Sequence, residues 1–231
     1  MRSSAAGTGA RAQRTPVDLE GAIRERRSTR KFLPQPVPWP LIEEALALAQ
    51  CAPSSSNIQP WRMFFAVGAA RDRVSEALLA EARRGKPHLL PLPEAFQRCR
   101  QELGARVYGS MGIAREDAVA RRVARLRNFE FFGAPLVGFV CMPRDLGLPD
   151  ALSVGMFLQT LLLALTARGL GTCVQVVLAA YPDVVERALN IPPDLSILCG
   201  VSIGYPDPDV PTNRLRIGRD PVENNIVLRD H

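Results

Sequence analysis

Residues Ala151 to Ala167, ALSVGMFLQTLLLALTA, are the most apolar stretch of the chain. A run of this kind has to be removed from water, and that demand limits the folds available. It falls short of the roughly 20 apolar residues that a membrane-spanning helix needs, and Ser153, Gln159 and Thr160 interrupt it. It therefore reads as a helix covered on most sides, in a core or between subunits. No membrane partner is expected.

The elements around it do not alternate regularly. Helices are expected over VDLEGAIRERRS, PWPLIEEALALAQC, ARDRVSEALLAEARR, EAFQRCRQELGARVYGSMG, AREDAVARRVARLRNFEFF and YPDVVERALN. Short buried strands are expected over WRMFFAVG, APLVGFVCM, GTCVQVVL and LSILCGVSIGYP. Single strands mixed with helix pairs indicate an α+β fold rather than a doubly wound α/β sheet. No repeat or long linker divides the 231 residues. One domain over 16–231 is expected, preceded by a basic, disordered tail over 1–15 with no apolar signal segment.

The formal charge is +6, and the tail carries three arginines and no acid. The remainder is only mildly basic. Nucleic-acid binding would show a basic stripe with interleaved aromatics or a known module, and neither is present. The densest cluster, AREDAVARRVARLRN, also holds acids and reads as a solvated helix face. Cys51, Cys99, Cys141, Cys173 and Cys199 form no C-x-x-C pair and read as free thiols of a reducing, cytoplasmic compartment. With only His88 and His231 besides, ligands for a metal site are too few.

Two apparent motifs fail. GVSIG, Gly200 to Gly204, matches a nucleophile elbow, but YPDPDVP follows it where a helix is required. Ser202 therefore reads as a small residue on a packed strand. GLGTCV follows a helix and precedes a strand, the reverse of a dinucleotide fingerprint. Gly169 reads there as a helix C-cap and Gly171 as a turn.

Three stretches stand. RERRSTRKF gathers Arg24, Arg26, Arg27, Arg30 and Lys31 with Ser28 and Thr29 at the expected end of the first helix. It suits either a phosphate, through arginine's planar fork, or a basic helix end in solvent. NRLRIGR adds Arg214, Arg216 and Arg219 near the other end of the chain. APSSSNIQPWR, Ala52 to Arg62, places a row of hydroxyls and an amide before a proline and a tryptophan, more polar groups than a turn requires.

RRSTRKF, APSSSNIQPW, GLGTC and GYPDPDVPTNRLRIGR in this order resemble the FMN-dependent nitroreductase family, from about Val17 to the C-terminus. The resemblance implies a sandwich with a central, mostly antiparallel sheet flanked by helices. It implies a homodimer with two FMN sites at the subunit interface. Arg26 and Ser28 would hold the FMN phosphate, Arg27 and Thr29 would line the stretch, and Arg30 would lie near the pyrimidine edge of the flavin. Arg219, helped by Arg216, would return to the phosphate. Pro53, Ser54, Ser55, Asn57 and Gln59 would reach the flavin from the other subunit, with Trp61 as a packing anchor below them. A backbone N–H near Leu178 or Ala179 would face flavin N5. The implied activity is NADPH- or NADH-dependent reduction of small electron-poor acceptors, nitroaromatics or quinones, by ping-pong hydride transfer with no catalytic side chain. Reductive dehalogenation, flavin cleavage and non-catalytic flavin binding are the alternatives on the same scaffold. The mid-chain asparagine and lysine that some members place by the flavin ring are not found here; Lys86 to Arg127 reads instead as a two-helix lid over the substrate pocket.

Overall fold

The computed structural model describes residues 18–85 and 91–230. The tail over 1–15, Lys86, His88 and His231 lie outside the described residues. Four strands form one antiparallel sheet in the order β1-β2-β4-β3: β1 (Arg62–Val67), β2 (Leu136–Pro143), β3 (Gly171–Gln175) and β4 (Leu195–Gly204). The two central strands explain the continuous apolar runs, because both of their faces are covered.

Along β2 the side chains alternate between two cores. Val137, Phe139 and Cys141 join Val74, Leu78 and Val185, from helices α3 (Gly68–Arg84) and α7 (Pro182–Leu189). Leu136, Val140 and Met142 join Ile42, Ala45, Phe157, Leu161 and Leu165, from α2 (Trp39–Ala49) and α6 (Leu148–Ala167). The result is a helix–sheet–helix sandwich. A short α1 (Leu19–Glu25) also packs on α6, and α4 (Gln97–Gly109) and α5 (Ala118–Leu126) make up the predicted two-helix segment.

The apolar run lies within α6 as expected, but it is not covered all round. Leu148, Leu152, Gly155 and Gln159 are exposed, and their spacing puts them on one stripe of the helix. Leu148 is 87% exposed and Leu152 68%. Gly155 has open space where a side chain would stand, so nothing within the chain requires glycine there.

Several boundaries move. The first helix stops at Glu25, not Ser28. The helix expected through Phe132 stops at Leu126, and Phe131 and Phe132 then take left-handed backbone angles, φ 54° and 55°. The strand expected through Leu178 stops at Gln175 and tightens into a 3-10 turn, Val176–Ala180. Gly169 does follow the C-cap of α6 with φ 76°. Gly171 is not a turn; it opens β3, and a Cβ there would stand 2.5 Å from the Thr29 hydroxyl oxygen. Ser202 is fully buried inside β4 and donates to Gln175 Oε1, as a packed strand residue rather than a nucleophile.

Candidate functional site

The stretch 28–33 runs as an extended strip along the open edge of β3 and the continuation of β4. Ser28 bridges Thr172 in parallel fashion, Thr29 N–H donates to Thr172 O (2.9 Å), and Leu33 N–H donates to Tyr205 O (2.9 Å). Gly171 is what admits this approach. The buried Asn213 side chain fixes the strip from the far end of the chain. Its Nδ2 donates to Lys31 O (2.8 Å) and Asp207 O (2.9 Å), and its Oδ1 accepts from Arg30 N–H (2.8 Å). Its carbonyl also accepts from Arg27 Nε (2.7 Å). Asn213 opens the NRLRIGR run, and in the sequence it shows only as a small amide between a proline turn and a cationic run.

Arg26, Ser28 and Arg30 lie along this strip near Cys173, whose thiol is buried in β3. Burial pushes that thiol up to about 11, while the charge of Arg30, the Ser28 hydroxyl and the charge of Arg26 pull the other way. Arg26 and Arg30 are half-buried, and neither is in an ion pair with any described residue. Arg26, Arg27 and Thr29 line a hollow of about 80 Å³ with Thr166, Gly171 and Pro206. Glu25 also lines this hollow but pairs with neither Arg26 nor Arg30. Two partly desolvated, unpaired guanidinium groups still favour an anion, and arginine suits phosphate oxygens. Arg216 joins them: its Nη1 donates to Arg24 O (2.7 Å) in the last turn of α1. Arg219 is exposed, and among the described residues it donates only to the carbonyls of Ile217 and Gly218.

The second stretch lies elsewhere. Ser56, Asn57 and Gln59 all have positive φ (48°, 55° and 48°), three left-handed residues within four positions and none of them glycine. Such strain persists only where the surroundings enforce it, and it gathers at binding loops. Ser54 Oγ accepts from Gln59 N–H (3.0 Å), and Gln59 Nε2 donates to Asn57 O (3.2 Å). Beneath the loop, Trp61 is buried, stacks on Phe157 at 4.8 Å and donates to Gln50 Oε1 (2.8 Å), the packing anchor expected. Pro53, Ser55, Asn57 and Gln59 remain exposed, and Ser54 is half-exposed.

One chain does not bring the two stretches together. Ser55 N–H bonds Ser153 Oγ (3.3 Å) near the start of α6, whereas Arg26 and Thr29 share their hollow with Thr166 near its end. Those helix positions are roughly 20 Å apart at about 1.5 Å rise per residue. Leu178 is fully buried against Gly200, so only its backbone is available to a ligand; Ala179 follows it at partial exposure. Both lie beyond β3, past its contact with the strip.

A third feature was not foreseen. Between α4 and α5 lies a cavity of about 870 Å³ that reaches Arg30 and is lined by Arg100, Arg115, Arg121, Arg125 and Tyr108. Three of these arginines belong to the cluster read from the sequence as a solvated helix face. That reading missed that Arg115, Arg121 and Arg125 turn toward one space.

The Nitroreductase family profile matches residues 23–205. The chain belongs to the nitroreductase family. It is 36% identical over 219 residues to a nitrobenzene nitroreductase of Ectopseudomonas oleovorans, covering 89% of this chain and 94% of that protein. It is 34% identical over 209 residues to a 4-nitrobenzoate reductase of Pseudomonas putida, covering 88% and 92% respectively. Among solved structures, the FMN-dependent nitroreductase NfnB of Mycobacterium smegmatis, in complex with NADPH, superposes with a TM-score of 0.85 at 33% identity. That match covers 91% of this chain and 97% of that one. The sandwich of helices about an antiparallel sheet is thus the fold the motifs implied.

Proposed function

We propose that this nitroreductase binds FMN along the Arg26–Arg30 strip and uses NADPH or NADH to reduce nitroaromatic and similar electron-poor acceptors. The observation that carries this is the convergence of Arg26, Ser28 and Arg30 on one edge of β3 with no acid paired to either cation. These residues fit a phosphorylated cofactor: half-buried guanidinium groups bind phosphate oxygens in pairs, and Ser28 adds a hydroxyl donor. FMN, when bound, supplies two-electron carriage between donor and acceptor. For a nitroarene the overall change is NAD(P)H, a proton and the nitro group going to NAD(P)+, the nitroso group and water. The chain's part is to hold the phosphate at Arg26 and Ser28, place positive charge at Arg30 where negative charge develops, and exclude water.

The same reading requires a homodimer. The exposed polar loop Pro53–Gln59 cannot meet the arginine strip of its own chain across α6, but a twofold partner can present its loop there. The stripe Leu148, Leu152, Gly155 and Gln159 is a surface on which a second copy can sit, with Gly155 allowing close backbone approach. One domain over 16–231 and a cytoplasmic location complete the reading; free thiols at all five cysteines support the latter.

The test is an absorbance spectrum of the purified protein before and after anaerobic addition of NADPH, then NADH. A flavin band that bleaches is expected. A band that persists would favour a flavin-binding role without turnover, and no band after incubation with FMN would remove the cofactor assignment.

A further inference from the structure

Five arginines and no acid line the cavity between α4 and α5. Two of the nearby acids are engaged elsewhere. Glu102 pairs with Arg98 (2.6 Å), and Asp117 Oδ1 accepts from Ala120 N–H (2.8 Å) as the cap of α5. Two of the five are held: the Arg121 guanidinium lies 4.4 Å above the Tyr108 ring with its Nη1 donating to Arg115 O (2.9 Å), and Arg30 Nη1 donates to Ser28 O (3.3 Å). The side chains of Arg100, Arg115 and Arg125 make no hydrogen bond or ion pair with any described residue. Leu103, Val107, Tyr108 and Ile113 supply an apolar wall beside them. A cavity of this volume takes a small organic molecule, and an anion inside it relieves the like charges clustered around it.

We propose that this cavity selects acceptors carrying a negative group on an aromatic ring, a carboxylate above all. The inference rests on the reading of the Arg26–Arg30 strip as the flavin site, and it names the acceptor class for that site. The flat ring would lie against Tyr108 and the aliphatic wall, with the carboxylate met by Arg115, Arg121 and Arg125. Arg30 belongs both to the strip and to the cavity, so a ligand that fills the cavity lies next to the place where electrons leave. An acceptor one ring wide keeps its charge within a ring's length of its reacting atoms. A donor nucleotide can carry its phosphates away from its reacting ring, so an arginine-lined cavity at Arg30 suits the acceptor better. Relatives are named for neutral and for anionic nitroarenes alike; the charge of this cavity points to the second.

Benzoate and benzamide, matched in shape and not reducible here, separate charge from fit. Calorimetric titration of the FMN-loaded protein at low salt should give benzoate about tenfold tighter than benzamide, as expected for a hydrogen bond to a charged group. The Arg115→Gln/Arg125→Gln double variant, checked for folding by circular dichroism, should bring the two ligands to within about threefold, while Arg122→Gln, outside the cavity, leaves the gap intact. Equal binding of both ligands to the unaltered protein overturns the proposal. So does a gap that survives in the double variant. A double variant that slows flavin bleaching by NADPH more than by NADH, with the benzoate gap unchanged, assigns the charges to the donor's phosphate and also overturns it. The flavin spectrum before and after nucleotide is read separately, so failure of the parent reading is distinguishable from failure of this one.

Discussion

Two arginine-rich segments of this chain are built in opposite ways. From Ser28 to Leu33 the backbone is tied at nearly every residue, to Thr172, Asp207, Tyr205 and the Asn213 side chain. From Arg115 to Arg125 the arginines stand on an exposed helix and its approach, and only Arg121 has a fixed partner. Similar composition therefore supports different duties. A pinned strip can hold an invariant group such as a phosphate in one geometry. Untied side chains can adapt to acceptors of different outline, at the cost of rotamer freedom when they bind.

The contrast makes predictions. The largest effect is expected at the pin itself: Asn213→Ala removes three side-chain hydrogen bonds from a buried site. It should destabilise the protein by about 3 kcal/mol, since each buried group left unmatched costs about 1–3 kcal/mol, and denaturant melts measure this. Unchanged stability would show that the strip is held by its edge contacts alone. Next, Arg26→Ala with Arg219→Ala should weaken FMN binding roughly 100-fold, read by flavin fluorescence on dilution. Retention of flavin in that double variant would mean that the phosphate sits elsewhere. Because Arg219 makes only local contacts in a single chain, the two single variants should differ, with Arg26→Ala the more severe.

A thiol probe sharpens the comparison without any mutation. Cys99 lies exposed on α4 and Cys173 lies buried under the pinned strip. At pH 8 a disulfide reagent should label Cys99 and the exposed Cys51 in the native protein, and Cys141, Cys173 and Cys199 only after unfolding. The fold holds Cys173 neutral, with its thiol raised from 9.0 to about 11. That contribution to stability is complete below about pH 9, and it is lost as pH rises from there through about 11, because the unfolded chain ionises first. Rising alkaline stability over that window would contradict the burial. The smallest effect is expected in the untied segment: Arg115→Gln/Arg125→Gln should change stability by less than about 0.5 kcal/mol. A larger loss would mean that these arginines are structural after all.

Much of this was legible in the residues. The apolar α6, the four strands and the helices on either side follow from hydrophobic period, and the order of the quoted motifs indicated the family. What escaped notice were features set by long-range contact. Gly171 is glycine because Thr29 packs onto it, a reason that lies far away in the sequence. The valines after Gln175 look like strand, but β3 is the edge strand of the sheet, bordered outside only near its start by the Ser28–Thr29 strip, and the chain turns off early. Phe131 and Phe132 adopt a conformation that their own propensities oppose, because the core holds both rings. The arginines of α5 are solvated as expected, but helical spacing alone does not show that α4 stands opposite them across a shared cavity.

The length of α6 has one last consequence, which belongs to genetics. If the proposed homodimer forms, with the loop at one end of α6 and the strip at the other, each site would be assembled from unlike halves of two chains. A chain damaged in the loop and a chain damaged in the strip each form inactive pairs with themselves. Mixed and allowed to exchange, they yield a heterodimer with one site doubly damaged and one wholly intact. Two null alleles would then complement each other, and the recovered activity would be limited to half of that of an undamaged pair.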